Sequence, residues 1–596
     1  MGFRAPVAEI AFTLRHIADL DALLTASGTD DVSAEMIDSI LAEAGRFAEN
    51  ELDPINASGD RFGCVLNGDS IKTPPGWKET YQRWIEGGWN GVSAPAEWGG
   101  QNLPAVVNAA VDELWNAGSV AFAAGPMLTA GAVAALHDHA SDDLKARYLP
   151  RLVSGAWMAT MNLTEPQAGS DLGAMVTRAE RADDGTYRIF GQKIFITYGE
   201  HDLTENIIHL VLARLPDAPP GTAGISMFLV PKFLVDDNGT LGKRNDVKCA
   251  GLERKLGLHA SPTCTMIYGD GDGATGWLVG EENRGLAAMF TMMNIARLTV
   301  GIQGLGVAAR AYDRALTYAH ERRQGRLPGA DPSVTCPIVE HPDVQRNLLN
   351  MKALTAASRA IAYSCAIAID MSRRGPTEER GAWADRASLL TPVAKAFSTD
   401  AATTIASLGI QIHGGAGYIE ETGAAQYLRD ARIFPIYEGT NGIQAIDLVM
   451  RKLALADGNA VRRLIEDLSR VAGDAAAVNR EDFGETGPRL VTAMERLAKA
   501  TEFLGAAIAG GRTADALAGA TPYLRLFGLA AGGTLLAKGA LRAAAAGRDE
   551  SWISLARFFA ENLVDETAGL MTTVCGGGEA LNAAAEAHLL DRFGQA

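Results

Sequence analysis

MNLTEPQAGSD, residues 161–171, stands where the character of the sequence changes. From about residue 158 to residue 280, short runs rich in β-branched and aromatic residues alternate with Gly, Pro and Asp turns. The clearest runs are TYRIFGQKIFIT, IIHLVLARL, ISMFLVPKF and TCTMIYGD. Runs of this kind predict a compact, mostly antiparallel β-domain. Strands and helices do not alternate in this region, so a doubly wound parallel sheet is not expected.

The segments on either side of this β-region have the periodicity of helices. Residues 31–50 and 75–87 place apolar side chains three and four positions apart, and Asp142-Asp143 begin a further helix in the manner of an N-cap. Two long helical runs follow at 286–320 and 341–374, before Gly375-Pro376, and an Ala-rich helical block begins after Gly458. The pattern predicts a multidomain α+β protein. Its predicted parts are an N-terminal extension (1–36), a helical domain (37–157), the β-domain (158–282), a second helical domain (283–455) and an additional C-terminal helical domain (456–596).

Composition restricts the possible functions. The 596 residues are 47% hydrophobic and 21% charged, as in ordinary globular proteins, and the net charge is −17. Such an acidic chain repels polyanions, so we expect neither a nucleic-acid partner nor an anionic membrane surface without a local basic patch. The six cysteines form no C-x-x-C pair, and the first residues lack the apolar core of a signal peptide. These features predict a reduced cytoplasmic protein without disulfides or a metal site.

Several motifs are better explained by packing or turns than by function. Residues 114–137 carry no Asp, Glu, Lys or Arg, but their Asn, Ser, Pro and Gly content favours buried helices over a membrane span. The apolar run 526–537 is too short to cross a membrane. GLGVAA at 304–309 has the form of a dinucleotide fingerprint, yet it follows a helical pattern, which favours close helix packing. GDGDGATG at 269–276 lacks the acidic ligands of a calcium loop and predicts a turn between strands.

Three further motifs carry information when they are taken together with MNLTEPQAGSD. They are GQKIFIT at 191–197, QIHGGAG at 411–417 and, after Arg429-Asp430, IYEGTN at 436–441. In this order, within a helix–β–helix chain, they resemble the acyl-CoA dehydrogenase family from about residue 40 to residue 455. The resemblance implies a flavoprotein that binds FAD between domains and across a subunit interface. It therefore implies a homo-oligomer, with a dimer favoured and a tetramer as the alternative.

The chemistry of the family explains why it uses these residue types. Forming a C2–C3 double bond in an acyl thioester removes a weakly acidic α-proton and a hydride, so a buried carboxylate with a raised pKa is a suitable base. By resemblance Glu438 is that base, and the hydride passes to FAD. Some branches of the family place the base before an arginine on a helix, but here that position is Ala296, before Arg297, and alanine cannot act as a base.

The resemblance also assigns the other site residues. Cofactor-binding positions are Met161, Leu163, Thr164, Phe195, Thr197, Arg322, Gln411, Gly415 and Thr440. Substrate-binding positions are Gly169, Ser170 and Arg297. Arg322 is the residue that resembles the arginine reaching the FAD diphosphate of a neighbouring subunit, and guanidinium groups suit phosphate oxygens.

The chain also departs from the short members of the family. Phe195 replaces the usual tryptophan, Gly442 replaces a glutamine, and about 140 residues follow the core. The long tail and the sequences of residues 4–14 and 196–219 resemble the bacterial group that includes 3-methylmercaptopropionyl-CoA dehydrogenases. That group implies a short acyl-CoA substrate and electron-transferring flavoprotein as electron acceptor.

Alternative functions stay open at this point. A medium- or long-chain acyl-CoA dehydrogenase, an acyl-CoA oxidase and a flavin-containing scaffold protein are each compatible with the motifs. DNA binding through the tail, known in one relative of similar size, is not expected, because the tail has 14 Lys and Arg against 17 Asp and Glu.

Overall fold

The computed structural model of the protein describes residues 2–28, 32–236, 238–329, 331, 333–478, 480–547 and 550–590. A helical region comes first and contains one small hairpin. Its helices are α1 Val7–His16, α2 Leu20–Ser27, α3 Ala34–Phe47, α4 Asp53–Phe62, α5 Trp77–Glu86, α6 Ala105–His139 and α7 Asp142–Val153. The hairpin consists of β1 Val65–Asn67 and β2 Ser70–Lys72, and the periodicity of the sequence did not predict it.

The middle region is a β-domain, as predicted. Its strands are β3 Met158–Asn162, β4 Arg178–Arg181, β5 Tyr187–Thr197, β6 Ile207–Arg214, β7 Ile225–Pro231, β8 Phe233–Val235, β9 Leu241–Arg244, β10 Val247–Leu252, β11 Thr263–Tyr268 and β12 Ala274–Val279. The main sheet has the order β10-β11-β5-β12-β7-β6-β3, with β4 beside β5. Neighbours on this path are antiparallel except β3 and β6, which run parallel with Met161 opposite Leu210.

Helices form the rest of the described chain. They are α8 Gly285–Glu321, α9 Pro342–Arg374, α10 Arg380–His413, α11 Ala424–Ala431, α12 Asn441–Asp447, α13 Asn459–Ala477, α14 Thr486–Ala509, α15 Thr513–Ala545, α16 Ser551–Asn562, α17 Glu566–Cys575 and α18 Glu579–Ala585. The bounds of α8 and α9 agree within one residue with the predicted runs 286–320 and 341–374, and α9 ends at the predicted Gly375. Of the turn predicted at 269–276, residues 269–273 lie between β11 and β12, whereas 274–276 already belong to β12. In this turn Asp246 Oδ2 accepts hydrogen bonds from the N–H groups of Gly271 and Gly273.

Helix α6 contains the charge-free segment and is broken in its middle. Ser119 has φ −156° and ψ 99°, so the chain leaves the helical conformation there. The hydroxyl of Tyr198, just after β5, donates a hydrogen bond of 2.8 Å to the carbonyl oxygen of Ala121. This bond satisfies a carbonyl group close to the break and ties α6 to the β-domain.

Helices α6, α8 and α15 are each long and apolar enough to cross a membrane. Their most apolar windows are 83%, 56% and 83% buried inside the protein itself. The sequence analysis took the apolar segment to be only the run 526–537, which is too short to span a membrane. That premise was wrong, because α15 extends well beyond the run on both sides. Burial against other helices explains the apolar character of these segments.

Small residues bring the long helices close together. A Cβ atom on Gly304 would lie 3.1 Å from the carbonyl oxygen of Ser398 in α10, and one on Gly306 would lie 2.7 Å from the Cβ of Asn116 in α6. GLGVAA therefore serves helix packing, as predicted. In the same way, a Cβ on Gly528 of α15 would lie 2.2 Å from the ring of Phe397, which brings the C-terminal helices against α10.

Two local details differ from the sequence expectation or were not foreseen. The N-cap of α7 is Ser141, whose Oγ accepts a hydrogen bond from the N–H of Leu144, and Asp142-Asp143 occupy the first turn instead. A buried ion pair joins Arg359 of α9 to Glu113 of α6, with Nη2 and Oε1 2.6 Å apart. Arg359 also contacts Glu9 of α1 at 3.3 Å, so the N-terminal helix is bound to the central helices.

Candidate active site

A cavity of about 860 Å³ lies between the β-domain and helices α6, α8 and α12. The β-domain contributes the segment after β3, the end of β5 and the loop before β11, while the helices contribute mainly apolar side chains. Ten of the residues assigned from the sequence line it. They are Met161, Leu163, Thr164, Gly169, Ser170, Phe195, Thr197, Arg297, Glu438 and Thr440.

Glu438, the predicted base, lies half-buried in the cavity wall. It belongs to the loop between α11 and α12, where its φ of 56° is in the left-handed region that non-glycine residues rarely adopt. Burial raises the pKa of Glu438 to about 7, and the positive charges of Arg297 and Lys395 oppose part of that rise. A carboxylate with such a pKa can accept a proton near neutral pH.

The loop that carries Glu438 is held by hydrogen bonds from two helices. Lys395 Nζ of α10 donates to the carbonyl oxygen of Gly439 at 2.9 Å and to Asn441 Oδ1 at 2.8 Å. Thr440 is the N-cap of α12, and its Oγ1 accepts from the N–H of Ile443 at 3.2 Å. The hydroxyl of Tyr437 donates to Gln303 Oε1 of α8. The residues on both sides of Glu438 are thus fixed in place.

The segment after β3 is fixed from beneath by a buried ion pair. Lys193 Nζ lies 2.8 Å from Glu165 Oε1 and 3.0 Å from the carbonyl oxygen of Leu163. The N–H of Ile194 donates to the carbonyl oxygen of Thr164 at 2.9 Å. Met161, Leu163 and Thr164 are therefore held against the end of β5, beside the cavity.

Phe195 is the aromatic residue at the end of β5, and it is 59% exposed in the cavity wall. Its backbone has a φ of 60°, which departs from the extended conformation of the strand. Two residues further on, the carbonyl oxygen of Thr197 accepts a hydrogen bond of 2.6 Å from Thr160 Oγ1. An exposed aromatic ring with a strained backbone is a common feature of a binding surface.

Positive side chains gather around the cavity. Six cationic residues line it, namely Arg254, Lys255, Arg297, Arg429, Arg432 and Arg451. Four acidic residues accompany them, namely Asp171, Glu253, Asp447 and Glu438. The Nε atoms of Arg297 and Arg429 are buried and have no hydrogen-bond partner among the described residues. Unsatisfied buried guanidinium donors fit a ligand that carries phosphate groups.

Arg297 and its neighbour Asp447 show how this end of the cavity is arranged. Arg297 Nη1 lies 3.8 Å from Asp447 Oδ2, and Arg451 Nη1 lies 3.2 Å from Asp447 Oδ1. Arg297 is largely buried, whereas the Arg451 side chain is 67% exposed. The charge thus extends from the interior to the surface of the protein.

Three assigned residues lie away from the described lining of the cavity. Arg322 caps the end of α8, Gln411 lies in the last turn of α10, and Gly415 follows in a short 3-10 turn. All three are exposed in the single chain. The sequence resemblance places the FAD diphosphate contacted by Arg322 in a neighbouring subunit and assigns Gln411 and Gly415 to the adenosine side of FAD. These assignments stay predictions.

Sequence patterns identify four domains of known type in the chain. Residues 35–156, 160–270 and 283–453 match the acyl-CoA dehydrogenase N-terminal, middle and C-terminal domains, and 464–585 match an acetyl-CoA dehydrogenase C-terminal-like domain. The chain belongs to the acyl-CoA dehydrogenase family. It is therefore an oxidoreductase that acts on CH–CH donors, and FAD is its cofactor.

Individual relatives support the same assignment. The chain is 43% identical to the 3-methylmercaptopropionyl-CoA dehydrogenase of Ruegeria pomeroyi, over 98% of this chain and 99% of that protein. Its fold is similar to that of Caenorhabditis elegans ACDH-11 in complex with C11-CoA, with a TM-score of 0.79, 22% identity, and 99% and 96% of the two chains covered. A Bacillus anthracis acyl-CoA dehydrogenase complexed with FAD gives a TM-score of 0.73, 22% identity, and 92% and 89% coverage. The acyl-CoA dehydrogenase fold predicted from the sequence, with an extra C-terminal domain, is confirmed.

Some residues of the site were missed at the level of sequence. Lys395 lies in a helix and contacts a loop more than 40 residues away, so its role depends on tertiary structure. A lone lysine in the apolar run PVAKAF was the available signal. Arg254 and Lys255 belong to none of the motifs quoted from the sequence, although both line the cavity. Asp430 belongs to a quoted motif, and its Oδ1 accepts from the N–H of Leu258 at 2.6 Å, fixing the loop that carries Arg254.

Proposed function

We propose that this acyl-CoA dehydrogenase converts a short acyl-CoA, 3-methylmercaptopropionyl-CoA, to the trans-2-enoyl-CoA, with Glu438 as the base. The observation that carries the proposal is the position of Glu438 in the wall of the cavity, with a pKa raised to about 7 by burial. The relative from Ruegeria pomeroyi, 43% identical over nearly the whole chain, supports the choice of substrate.

Proton abstraction is the step that this chain's own residues perform. Glu438 takes the α-proton when its carboxylate is ionised, and the low-polarity wall around it strengthens it as a base. The left-handed backbone at Glu438 and Gly439 is maintained by Lys395 and Gln444, which hydrogen-bond to the carbonyl groups of the loop. Arg297 and Lys395 place positive charge near the carboxylate and favour its ionised form.

FAD supplies the hydride acceptor that no side chain provides. We assign its isoalloxazine contacts to Met161, Leu163, Thr164, Phe195 and Thr197, which meet at one wall of the cavity. Phe195 offers an apolar ring surface there, since it is 59% exposed. Thr440, next to the base, completes this part of the site.

The remaining cofactor contacts are assigned across a subunit interface. We propose that Arg322, Gln411 and Gly415 hold the diphosphate and adenosine parts of FAD bound to a neighbouring subunit. These residues are exposed in the single chain and are therefore accessible to a neighbouring subunit. The protein is accordingly proposed to be a homo-oligomer, with a dimer favoured over a tetramer.

The CoA portion of the substrate requires cations and an open part of the cavity wall. We assign Gly169, Ser170 and Arg297 to this portion, with the surrounding arginines neutralising phosphate charge. A Cβ on Gly169 would meet no atom within 4 Å, so this part of the wall is open. Local positive charge explains how a chain of net charge −17 binds two polyanionic ligands.

The acyl group is proposed to occupy the apolar side of the cavity. Ala124 and Leu128 of α6 face this space together with Leu286, Phe290 and Met293 of α8. A thioether is apolar and polarizable, so it suits aliphatic and aromatic neighbours.

Electron-transferring flavoprotein is the proposed electron acceptor, and the cytoplasm is the proposed location. The five-part domain division at residues 36, 157, 282 and 455 is kept as part of the proposal.

Anaerobic bleaching of the bound flavin tests the function. The holoenzyme is mixed with 3-methylmercaptopropionyl-CoA, butyryl-CoA or a long-chain acyl-CoA, and flavin absorbance is followed. The proposal expects the fastest bleaching with the first substrate. Faster bleaching with a long chain would replace the substrate assignment, peroxide formation without a protein acceptor would indicate an oxidase, and no bleaching with any acyl-CoA would indicate a scaffold protein.

A further inference from the structure

The side chain of Lys395 ends in the protein interior beside the loop that carries Glu438. It lies in α10 within the apolar run PVAKAF, and it is 0% exposed. Desolvation disfavours a charged ammonium, so a buried lysine needs partners that compensate for the lost water. The partners of Lys395 therefore indicate what the residue does.

Its hydrogen-bond partners follow Glu438 directly, at the end of the loop and in the first residue of α12. Lys395 Nζ donates to the carbonyl oxygen of Gly439 at 2.9 Å and to Asn441 Oδ1 at 2.8 Å. The amide of Asn441 in turn donates to Thr399 Oγ1 at 3.0 Å and to Asp400 Oδ1 at 2.8 Å. One face of α10 thus holds the loop through a backbone carbonyl and a side-chain amide.

The conformation held in this way is an unfavourable one. Glu438 has φ 56° and Gly439 has φ 84°, and the left-handed region is unfavourable for a non-glycine residue such as Glu438. Gln444 Nε2 assists by donating to the carbonyl oxygens of Glu438 and Gly439 at 3.3 and 3.4 Å. A loop with this cost persists only where its surroundings enforce it, and Lys395 is the cation that donates directly to its backbone.

Lys395 and Glu438 also interact through their charges. Glu438 faces Lys395 of α10 and Arg297 of α8, and both cations lower the pKa that burial raises to about 7. Lys395 faces Asp400, Glu438 and Arg297, and burial lowers its pKa to about 8. Near neutral pH the ammonium thus retains its proton and acts on the carboxylate.

We propose that Lys395 is a positioning residue for Glu438: its ammonium fixes the left-handed turn at Glu438-Gly439 and supplies positive charge that favours the ionised base. The inference rests on the proposed function of Glu438. It adds a second residue to the proton-transfer step, one that lies behind the cavity wall and is not part of the described cavity lining.

Two variants of the holoenzyme separate the two roles of Lys395, which are fixing the turn by hydrogen bonds and supplying positive charge near Glu438. Lys395→Met removes both the hydrogen bonds and the charge, while Lys395→Gln keeps a donor and loses the charge. Lys352→Met is the matched control, because Lys352 is also a largely buried helical lysine paired with a glutamate, Glu9, but belongs to α9. FAD content, melting temperature, and the pH profile of kcat/KM are measured for each protein.

The expected result is a change in kcat and in the pH profile together. Lys395→Met lowers kcat about 10- to 100-fold at pH 7, since a misplaced reacting group costs up to about that factor. KM for the acyl-CoA changes less than about threefold. The acidic limb of kcat/KM moves up by about one pH unit in both Lys395 variants, because an opposite charge has been removed from the base. Lys395→Gln retains more kcat than Lys395→Met, and Lys352→Met moves neither parameter.

A wild-type profile in the Lys395 variants would overturn the inference, and so would a fall in kcat without movement of the acidic limb. Infrared titration of the Glu438 carboxylate, with Glu438→Gln as the reference for band assignment, gives the same pKa without turnover. If Lys395→Met binds little FAD, Lys395→Gln supplies the decisive titration. Failure of the proposed function is seen separately, as a wild-type flavin that no acyl-CoA bleaches or as a Glu438→Gln protein with normal turnover.

Discussion

Lys193 and Glu165 form an ion pair of 2.8 Å inside the β-domain, and their side chains are 0% and 1% exposed. Glu165 also accepts hydrogen bonds from the N–H groups of Val176 and Thr177 at 2.8 and 3.1 Å. These contacts lower the pKa of the Glu165 carboxyl against the opposing effect of burial. The pair supports Leu163 and Thr164, two residues assigned to the flavin.

Replacing Lys193 with Met is expected to destabilise the protein. The change leaves the Glu165 carboxylate buried without its cation, which costs about 3–5 kcal/mol. We expect a lower melting temperature and partial loss of FAD, measured by thermal unfolding and by the ratio of flavin to protein absorbance. Lys248→Met is the control, since Lys248 pairs with Asp270 on the exposed surface of the same domain. The same loss of stability in both variants would contradict this account of the buried pair.

Replacing Glu438 with Gln is expected to abolish most turnover while FAD stays bound. The amide has nearly the same shape but cannot accept the α-proton, and a general base contributes about 10²- to 10⁴-fold. Rates of anaerobic flavin bleaching measure the effect directly. Glu502→Gln, on the exposed surface of α14, serves as the control. Near-normal bleaching by the Glu438→Gln protein would show that another group removes the proton.

The acidic limb of the pH profile is expected to follow the ionisation of Glu438. Its pKa is raised to about 7, and only the carboxylate form is active, so kcat/KM rises as pH increases through about 7. At one unit below the pKa about a tenth of the base is ionised, and kcat/KM falls about tenfold from its plateau. Stability in this range should be checked by circular dichroism. A profile that is flat from pH 5.5 to pH 8 would exclude this carboxylate as the titrating group.

Replacing Gly528 with Ala is expected to weaken the contact between α15 and α10. The new Cβ would lie 2.2 Å from the ring of Phe397, and overpacking of this kind costs about 1–3 kcal/mol. Gly505→Ala in α14 is the matched control, because nothing lies within 4 Å of its Cβ position. That control should stabilise its helix by about 0.5–1 kcal/mol. Melting temperatures that move in the same direction for both variants would contradict the packing argument.

The sequence permitted accurate prediction where local pattern controls structure. The long helices and the antiparallel β-domain follow from the spacing of apolar residues, and the motif IYEGTN identified Glu438 by resemblance. Phe195 and Thr197 were found in the same way, through the motif GQKIFIT. The structure places all three of these residues in one cavity.

Other features depend on contacts between distant parts of the chain. Lys395 lies in a helix, and no local motif relates it to Gly439. The break in α6 at Ser119 has a backbone conformation that the apolar composition of 114–137 does not indicate. The assignment of Arg322 requires a second subunit, and it remains a prediction because it concerns a surface between chains.

The hydrogen bond from Tyr198 to Ala121 has a consequence for how substrate preference can change. Tyr198 directly follows Thr197, which is assigned to the flavin, while Ala124 and Leu128 lie one and two turns beyond Ala121 and line the acyl side of the cavity. A substitution that shifts this part of α6 also pulls on the end of β5. If these residues contact the flavin and the acyl group as proposed, we expect chain-length selectivity and cofactor alignment to change together, so that a larger acyl pocket requires compensating changes in both domains.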